Sequence, residues 1–536
     1  MTLIDPSAFR LAVGNIAAWG DTDVFPLPIE NHVFYDQQDE IVDLLGTISN
    51  DFLGRLTTAP PINHAALSPV GYNGFRWATQ IDPIWNAYFL GLILSLASAI
   101  ENQRISTNEN IVFSHRYQPE DDYTLFDRRG WMKFRQESET QAAAHQYVVT
   151  VDIADFYGRL YHHRIENELK YVDHDGARTS QIMRLLNSFS QGTSYGLPVG
   201  GPGARILSEL VLNSMDQLLL SHSPAFKFVR YADDYRFFVD DLEMAHRAIG
   251  FLSEKLQRNE GLSLQRSKTR IMTSAEYLAS SQPQDPRPGS AAKFLSLHLY
   301  YDPYSPTAEE DFESLKEQLS EFDLLGLLRA ELFKGRVDVA LTRKLVAALK
   351  HMPAKPKEQA VRSLLENLET LAPVLPHVMR AIRENVNELP DSTQEEVHSK
   401  IREMINSGHH LTQVDINLSY MLRVLSQRHF RENEHLLIQL YGQSHGYAQA
   451  PAPNIQHDIL LVLAKWGVTY WLHDLKPHYG TMHVWVRRAF LIGSYALGDE
   501  GRHWRRGVAA SISEFDKIVQ NWMSFRTSET DWEIPV

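Results

Sequence analysis

Near residue 303 the chain changes its texture, and no other feature narrows its fold as much. From about Pro6 to Tyr301 helical and strand patterns alternate. From Pro306 onward nearly everything reads as amphipathic helix, punctuated by prolines at 353, 356, 373, 376, 390, 451 and 453. Helical stretches of one to two dozen residues between prolines are the pattern of stacked helical hairpins, with an irregular helical bundle as the alternative since no sequence repeat stands out. Three parts are expected: a mixed, helix-rich region over 1–145, an α/β region over 146–302, and an all-α region over 303–536. A length of 536 residues accommodates them at about 150 residues per domain.

Within the first part, Ile84 to Arg104 reads as a helix. Its longest apolar run, Trp85 to Ile100, is shorter than the roughly 20 residues of a membrane-spanning helix, so burial inside the protein is expected. Ile111–Phe113 is a short apolar segment. The β-branched run Tyr147–Asp152 predicts a buried strand, and Phe226–Val239 predicts a hairpin with Ala-Asp-Asp at its tip. A helix is expected from about Arg205 to Leu220, a loop over Gln282–Ser290 and a further strand over Lys293–Tyr301. Thr307–Glu310 and Ser392–Glu395 have the spacing of capping boxes at helix starts.

Composition removes whole classes of chemistry. There is no cysteine, which excludes disulfides, thiolate zinc sites, iron–sulfur clusters and cysteine nucleophiles together. The net charge of −14 confines any nucleic-acid site to a local patch. Met1–Gly20 lacks the basic-then-apolar order of a signal peptide, so a cytoplasmic protein with no membrane partner is expected.

The residues that carry chemistry are carboxylates. Asp152 closes the predicted strand, and Asp233 and Asp234 sit at the predicted hairpin tip, where strand ends can converge. Hard Mg²⁺ prefers oxygen ligands and keeps waters, so converging carboxylates and substrate phosphates suit a two-metal site for displacement at phosphorus. Read alone, paired aspartates equally mark a turn. Gly196, Pro198 and Gly200 would let the backbone approach a nucleotide or base pair closely.

The order Val151–Tyr157, Gln191–Gly200, Phe228–Tyr235 and Gly261–Thr269 resembles motifs A, B, C and D of reverse transcriptases, with Lys293–Ser296 where a primer-grip hairpin stands. There the family's common glycine is a serine. The resemblance implies an α+β fingers/palm fold, with fingers in 1–145 and palm in 146–302. It makes Asp152, Asp233 and Asp234 catalytic and places metal at Asp152, Ile153 and Asp233, with Mg²⁺ as cofactor and Mn²⁺ as substitute. Tyr157 falls at the aromatic steric gate against a ribose 2′-OH, which argues for deoxynucleotides. Asp155 corresponds to an acid beside the triphosphate, with a helix cap as the equal alternative. Lys268 matches the motif D cation near the leaving group, and Arg116 matches the finger-strand arginine that clamps triphosphate.

The flanks Arg76–Pro83, Glu101–Arg104, Val112–Arg116 and Trp131–Phe134 look like the bacterial abortive-infection (Abi) reverse transcriptases of antiphage defence. In that family a helical-repeat (HEAT-like) domain follows the polymerase. The resemblance implies protein-primed, largely template-independent synthesis from dNTPs by a homo-oligomer, with the DNA product attached to the protein. A templated enzyme of another defence or retron-like group, needing RNA, and a scaffold or sensor with a lapsed polymerase remain alternatives. Among 22 tyrosines Tyr35 is the candidate for the priming hydroxyl, because it precedes the motifs in a polar segment, with an ordinary half-buried aromatic as the alternative reading.

Two further features complete the reading. Arg487, Arg488, Arg502, Arg505 and Arg506, interleaved with Trp485 and Trp504, form the densest basic-aromatic cluster, suited to phosphate contact and base stacking, with a helical surface paired to acidic neighbours or another subunit as the equal alternative. The pairs His162-His163 and His409-His410 predict no metal, since adjacent helical residues diverge and no acid stands at ligand spacing. Gly201-Pro-Gly203 lacks the Gly-Lys-Ser/Thr of a phosphate loop.

Overall fold

The computed structural model describes residues 4–222, 226–281, 289–297, 315, 317–446, 450–529 and 532–536. The chain falls into two compact units. One takes in Met1–Ala65, Trp77–Gln282 and Ser513–Trp522, and the other Ala66–Arg76, Pro283–Ile512 and Met523–Val536. The boundary expected at 302–303 lies outside the described residues, as do the capping box at Thr307–Glu310 and most of the loop at Gln282–Ser290.

Strands β1 (Asn63–Val70) and β2 (Gly74–Ile81) make a two-stranded sheet. The main sheet of the first unit holds β3 (Tyr147–Asp152), β4 (Lys227–Tyr231), β5 (Asp234–Val239) and β6 (Arg270–Thr273) in the order β4-β5-β3-β6, antiparallel throughout. Three valines in six residues make β3 a natural central strand. Alternation sends Val148 to one face, where it joins Phe113, Phe134, Val229, Phe238 and Tyr277 under the helices Gly130–Ala144 and Ser274–Ser281. Val149 and Val151 take the opposite face, and the helix Leu242–Lys255, capped by Asp241 on the Met244 N–H at 2.7 Å, packs against β3 and β5.

The long helix runs Pro83–Gln103, started by Asp82 on the Ile84 N–H and by Pro83 in its first turn. It is long and apolar enough to cross a bilayer by those measures alone, and 78% of its most apolar window is buried inside the protein. The short apolar segment Ile111–Phe113 contributes a single parallel bridge, between Val112 and Arg230.

The described part of the second unit is built mainly of helices, and they stack in two series. Val339–Ala347, Leu375–Asn385, Asp415–Leu425, Pro453–Lys465 and Val484–Gly493 each pack on the next. So do Leu324–Leu332, Ala354–Glu366, Asp391–Asn406 and Arg431–Tyr441. Prolines stand where helices begin, as at Pro353, Pro390 and Pro453, because a first turn needs no N–H there.

Two local expectations are corrected. Lys293–Tyr301 does not begin as a strand. Ala291–Ser296 is helical, because the Ser290 hydroxyl caps the Lys293 N–H at 3.2 Å and Phe294 is buried against Phe322. Residues 298–301 lie outside the described set. Ser392–Glu395 starts a helix without forming a capping box: Pro390 holds the N-cap position, Thr393 donates to Glu358 at 2.8 Å, and Glu395 pairs with Arg402.

Candidate active site

Antiparallel pairing sets Asp152, the last residue of β3, directly opposite Asp234, the first of β5. Residues paired across neighbouring strands share a face, so the two carboxylates are held to one side by the register. Asp233 occupies the β4–β5 turn, and its carbonyl accepts the Ile153 N–H at 3.1 Å, which ties the turn to the chain just beyond Asp152. On the other side the Asp152 carbonyl accepts the Gln265 N–H at 2.7 Å. Three of the four motif segments therefore meet at Asp152.

The site is electrostatically loaded. Burial, reinforced by the charge of Asp152 and then of Asp234, pushes the Asp233 carboxyl up to about 6. Burial also raises Asp234, against the opposing pull of Arg236. The Lys268 ammonium reaches Asp152 Oδ2 at 2.7 Å from a largely exposed side chain. Burial works to lower that ammonium, but its hydrogen bond to Asp152 and the three carboxylate charges hold it above its ordinary value. All-oxygen donors, mutual repulsion and a lysine standing in as counter-charge are what a hard divalent cation would fit, with Asp152, Ile153 and Asp233 as the expected ligands.

The motif B segment closes one side. Gly196 donates to the Leu160 carbonyl at 2.9 Å and Leu197 to that of Tyr157 at 2.8 Å, so the loop carrying Pro198 is pinned beside Tyr157. Gly200 has φ +115°, and a Cβ there would come within 2.2 Å of Thr22 Oγ1, so glycine is required on both counts. Tyr157 hydrogen-bonds Ser208 on the helix Pro202–Ser221, feels the charge of Asp233, and has its hydroxyl raised to about 12 by burial. Asp155 stands before the short helix Phe156–Arg159 at φ 48°, exposed, and its side chain makes no capping bond.

Arg116 departs from the expected triphosphate clamp. It is buried, and its guanidinium donates to the carbonyls of Val112 and Ile105 and to Glu101 at 2.7 to 2.9 Å, so its fork is spent inside the protein. The basic-aromatic cluster also fails to form a surface. Arg488, Arg505 and Trp485 are buried, Arg505 lies 3.6 Å over the Tyr495 ring, Trp504 packs on Tyr479 and Phe490, and Arg502 pairs with Asp499. Arg506 is exposed and Arg487 partly so. The helix period and chain path turned three of the seven inward. Tyr35, in the helix Glu30–Asp36, is 68% exposed.

Sequence reasoning missed the network beneath the carboxylates. Arg230, with no exposure, donates to Asp216 at 2.5 to 3.0 Å, to Glu209 at 2.9 Å and to the Ala232 carbonyl at 2.9 Å. Glu209 also accepts from Arg104 at 2.7 Å, and Arg104 reaches the carbonyls of Ser114 and His115. Burial opposes a charge on Glu209, but Arg230 and Arg104 hold its carboxyl well below the usual range. Two acids seven residues apart on a buried helix were the signal: that spacing puts both on one face, and a buried charge requires a partner.

Residues 98–317 match the family model described as reverse transcriptase (RNA-dependent DNA polymerase). Residues 98–317 thus form a reverse-transcriptase domain. Among solved structures it is similar to telomerase from Candida albicans in complex with a fragment of telomeric RNA. That likeness has 12% identity and a TM-score of 0.31 over 65% of this chain and 64% of that one. It is similar also to the corresponding Candida tropicalis complex, at 10% identity and TM-score 0.30 over 81% of this chain and 68% of that one. No curated protein matches. The family match, rather than these distant likenesses, carries the assignment.

Proposed function

We propose that the protein polymerises deoxynucleotides at Asp152, Asp233 and Asp234 as an Abi-type antiphage reverse transcriptase, primed on its own side chain and largely independent of template. The observation that carries the polymerase reading is the opposition of Asp152 and Asp234 across the β3–β5 register, with Asp233 beside them and raised to about 6. Bound Mg²⁺ supplies Lewis-acid polarisation at phosphorus and balances the carboxylates. In the reaction a hydroxyl oxygen loses its proton to water and bonds to the α-phosphorus of a dNTP, the bond from that phosphorus to the bridging oxygen breaks, and pyrophosphate leaves. Lys268 is long and exposed enough to exchange Asp152 for the departing phosphates. Tyr157, held by Ser208 and by the loop at Leu197, fills the space a ribose 2′-OH would need.

The finer parts rest on the sequence resemblance and on two compatible observations. Tyr35 is exposed enough to present its hydroxyl, and the alternate packing of the second unit's helices suits a HEAT-like array. The test is incubation of the purified protein with labelled dNTP and Mg²⁺, with and without RNA of defined sequence, followed by denaturation and peptide mapping. Label retained on the protein without RNA supports the proposal. Label incorporated only with RNA and released on denaturation replaces it with a templated enzyme, and no incorporation at all replaces it with a lapsed polymerase.

A further inference from the structure

Outside the polymerase site, three ligand side chains of the helical unit converge. His409 Nε2 lies 2.9 Å from one carboxylate oxygen of Glu369, and His410 Nε2 lies 3.1 Å from the other. One ligand atom from each residue falls within 4.8 Å of the others, the sole such group of three among the described residues. We infer that Glu369, His409 and His410 form a zinc-type divalent metal site that fastens the turn after the helix Ala354–Glu366 to the turn after the helix Asp391–Asn406.

The adjacent histidines were expected to diverge, as they would inside a helix. They do not, because His409 is extended (φ −54°, ψ 137°) and only His410 enters the following 3₁₀ turn. Across that junction the two rings stack, with centroids 4.6 Å apart and planes 28° apart. The missing acid comes from a residue forty positions away in sequence, brought over by the helix stacking.

The main chain on both sides is held by bonds that do not involve the three ligands' side chains. The His409 N–H donates to the Met404 carbonyl at 3.0 Å, and the His409 carbonyl accepts from Thr412 Oγ1 at 2.7 Å. Next to Glu369, the Thr370 carbonyl accepts the Tyr72 hydroxyl at 2.7 Å, and that hydroxyl accepts the Val337 N–H at 2.8 Å. The ligand positions are thus set before any ion arrives. Glu369 and His410 are more than half exposed, which leaves an entry path and room for water to complete the shell.

Donor chemistry selects the ion. Two imidazole nitrogens and one carboxylate are a zinc set with a fourth position open, whereas Mg²⁺ prefers oxygen alone, so the cation of the polymerase site would not compete. One bond is given up. His409 Nδ1 accepts the Leu411 N–H at 3.3 Å, and a metal on Nε2 requires the ring proton on Nδ1.

The experiment uses the full chain, stripped of metal and held in excess Mg²⁺ so that the catalytic carboxylates are occupied, then titrated with Co²⁺ and with Zn²⁺. The expected result is one equivalent bound at micromolar concentration or tighter, with the visible absorption of four- or five-coordinate Co²⁺. Glu369→Gln and His410→Asn, both at exposed side chains, should each weaken it at least tenfold, while His163→Asn at another exposed histidine leaves it unchanged. Zn²⁺ should raise the Tm of wild type and not of those two variants, and dNTP incorporation should be the same in all. Absence of binding at these concentrations, or equal binding by wild type and Glu369→Gln, would show a histidine–glutamate ion pair only and overturn the assignment.

Discussion

Arg230 donates from Nη1 to the main-chain carbonyl of Ala232 at 2.9 Å, from a side chain with no solvent exposure. Ala232 has φ 51°, in the left-handed region that a residue with a Cβ avoids, and it immediately precedes Asp233. The same guanidinium is gripped by Asp216 and Glu209 on the helix Pro202–Ser221, so the turn that carries Asp233 is braced through Arg230 by the helix that follows motif B.

Arg230 is therefore a positioning residue. Lysine keeps the charge and loses the planar fork, so Arg230→Lys should lower kcat by about ten- to a hundredfold with KM for dNTP little changed, because misplacing a reacting group by a fraction of an ångström acts on the chemical step. Steady-state kinetics decide it: an equal change carried by KM would assign Arg230 to nucleotide binding. Arg230→Met, which strands two buried carboxylates, should cost about 3–5 kcal/mol of stability by denaturant unfolding.

Asp233→Asn should reduce incorporation about a thousandfold or more while stabilising the metal-free protein at neutral pH. The folded carboxyl titrates near 6 against an ordinary 3.8, so the folded state binds its proton more tightly. Stability from this group is present below about pH 4 and is lost as pH rises towards 6. Melting in EDTA at pH 5 and pH 7.5 should show wild type losing about 1–1.5 kcal/mol more than the variant between the two. Parallel pH dependence of both proteins would remove the carboxylate repulsion from the account.

Replacing Lys268 with glutamine separates two roles. The ammonium now balances Asp152 at 2.7 Å, so its loss should lower the Mg²⁺ concentration for half-maximal activity. If it also assists the leaving pyrophosphate, kcat should fall about tenfold or more. A lower Mg²⁺ requirement with unchanged kcat would leave Lys268 as a counter-charge alone.

Tyr157→Ala should raise ribonucleotide use relative to deoxynucleotide use by about tenfold or more, since the vacated volume accepts a 2′-OH. Competition between rNTP and dNTP measures the ratio directly. An unmoved ratio would make the Ser208-bonded ring a packing element and nothing more.

Local pattern by itself determined the pieces whose physics is local. A β-branched run made the Asp152 strand, the alternation about Ala-Asp-Asp made the hairpin, prolines marked the starts of helices, and ordered motifs announced the reverse-transcriptase domain. Only tertiary structure decided which charges face inward. Arg116, Arg488 and Arg505 look like ligands for phosphate in the sequence and are buried in the fold, because the helix period and chain path, rather than residue type, set the direction of a side chain. Arg230 and Glu209 went unassigned for the converse reason: a charge in an apolar strand gains meaning only when its partner arrives from another helix. His409, His410 and Glu369 meet for the same reason, since a convergence of residues far apart in sequence is a property of helix stacking and leaves no spacing to read.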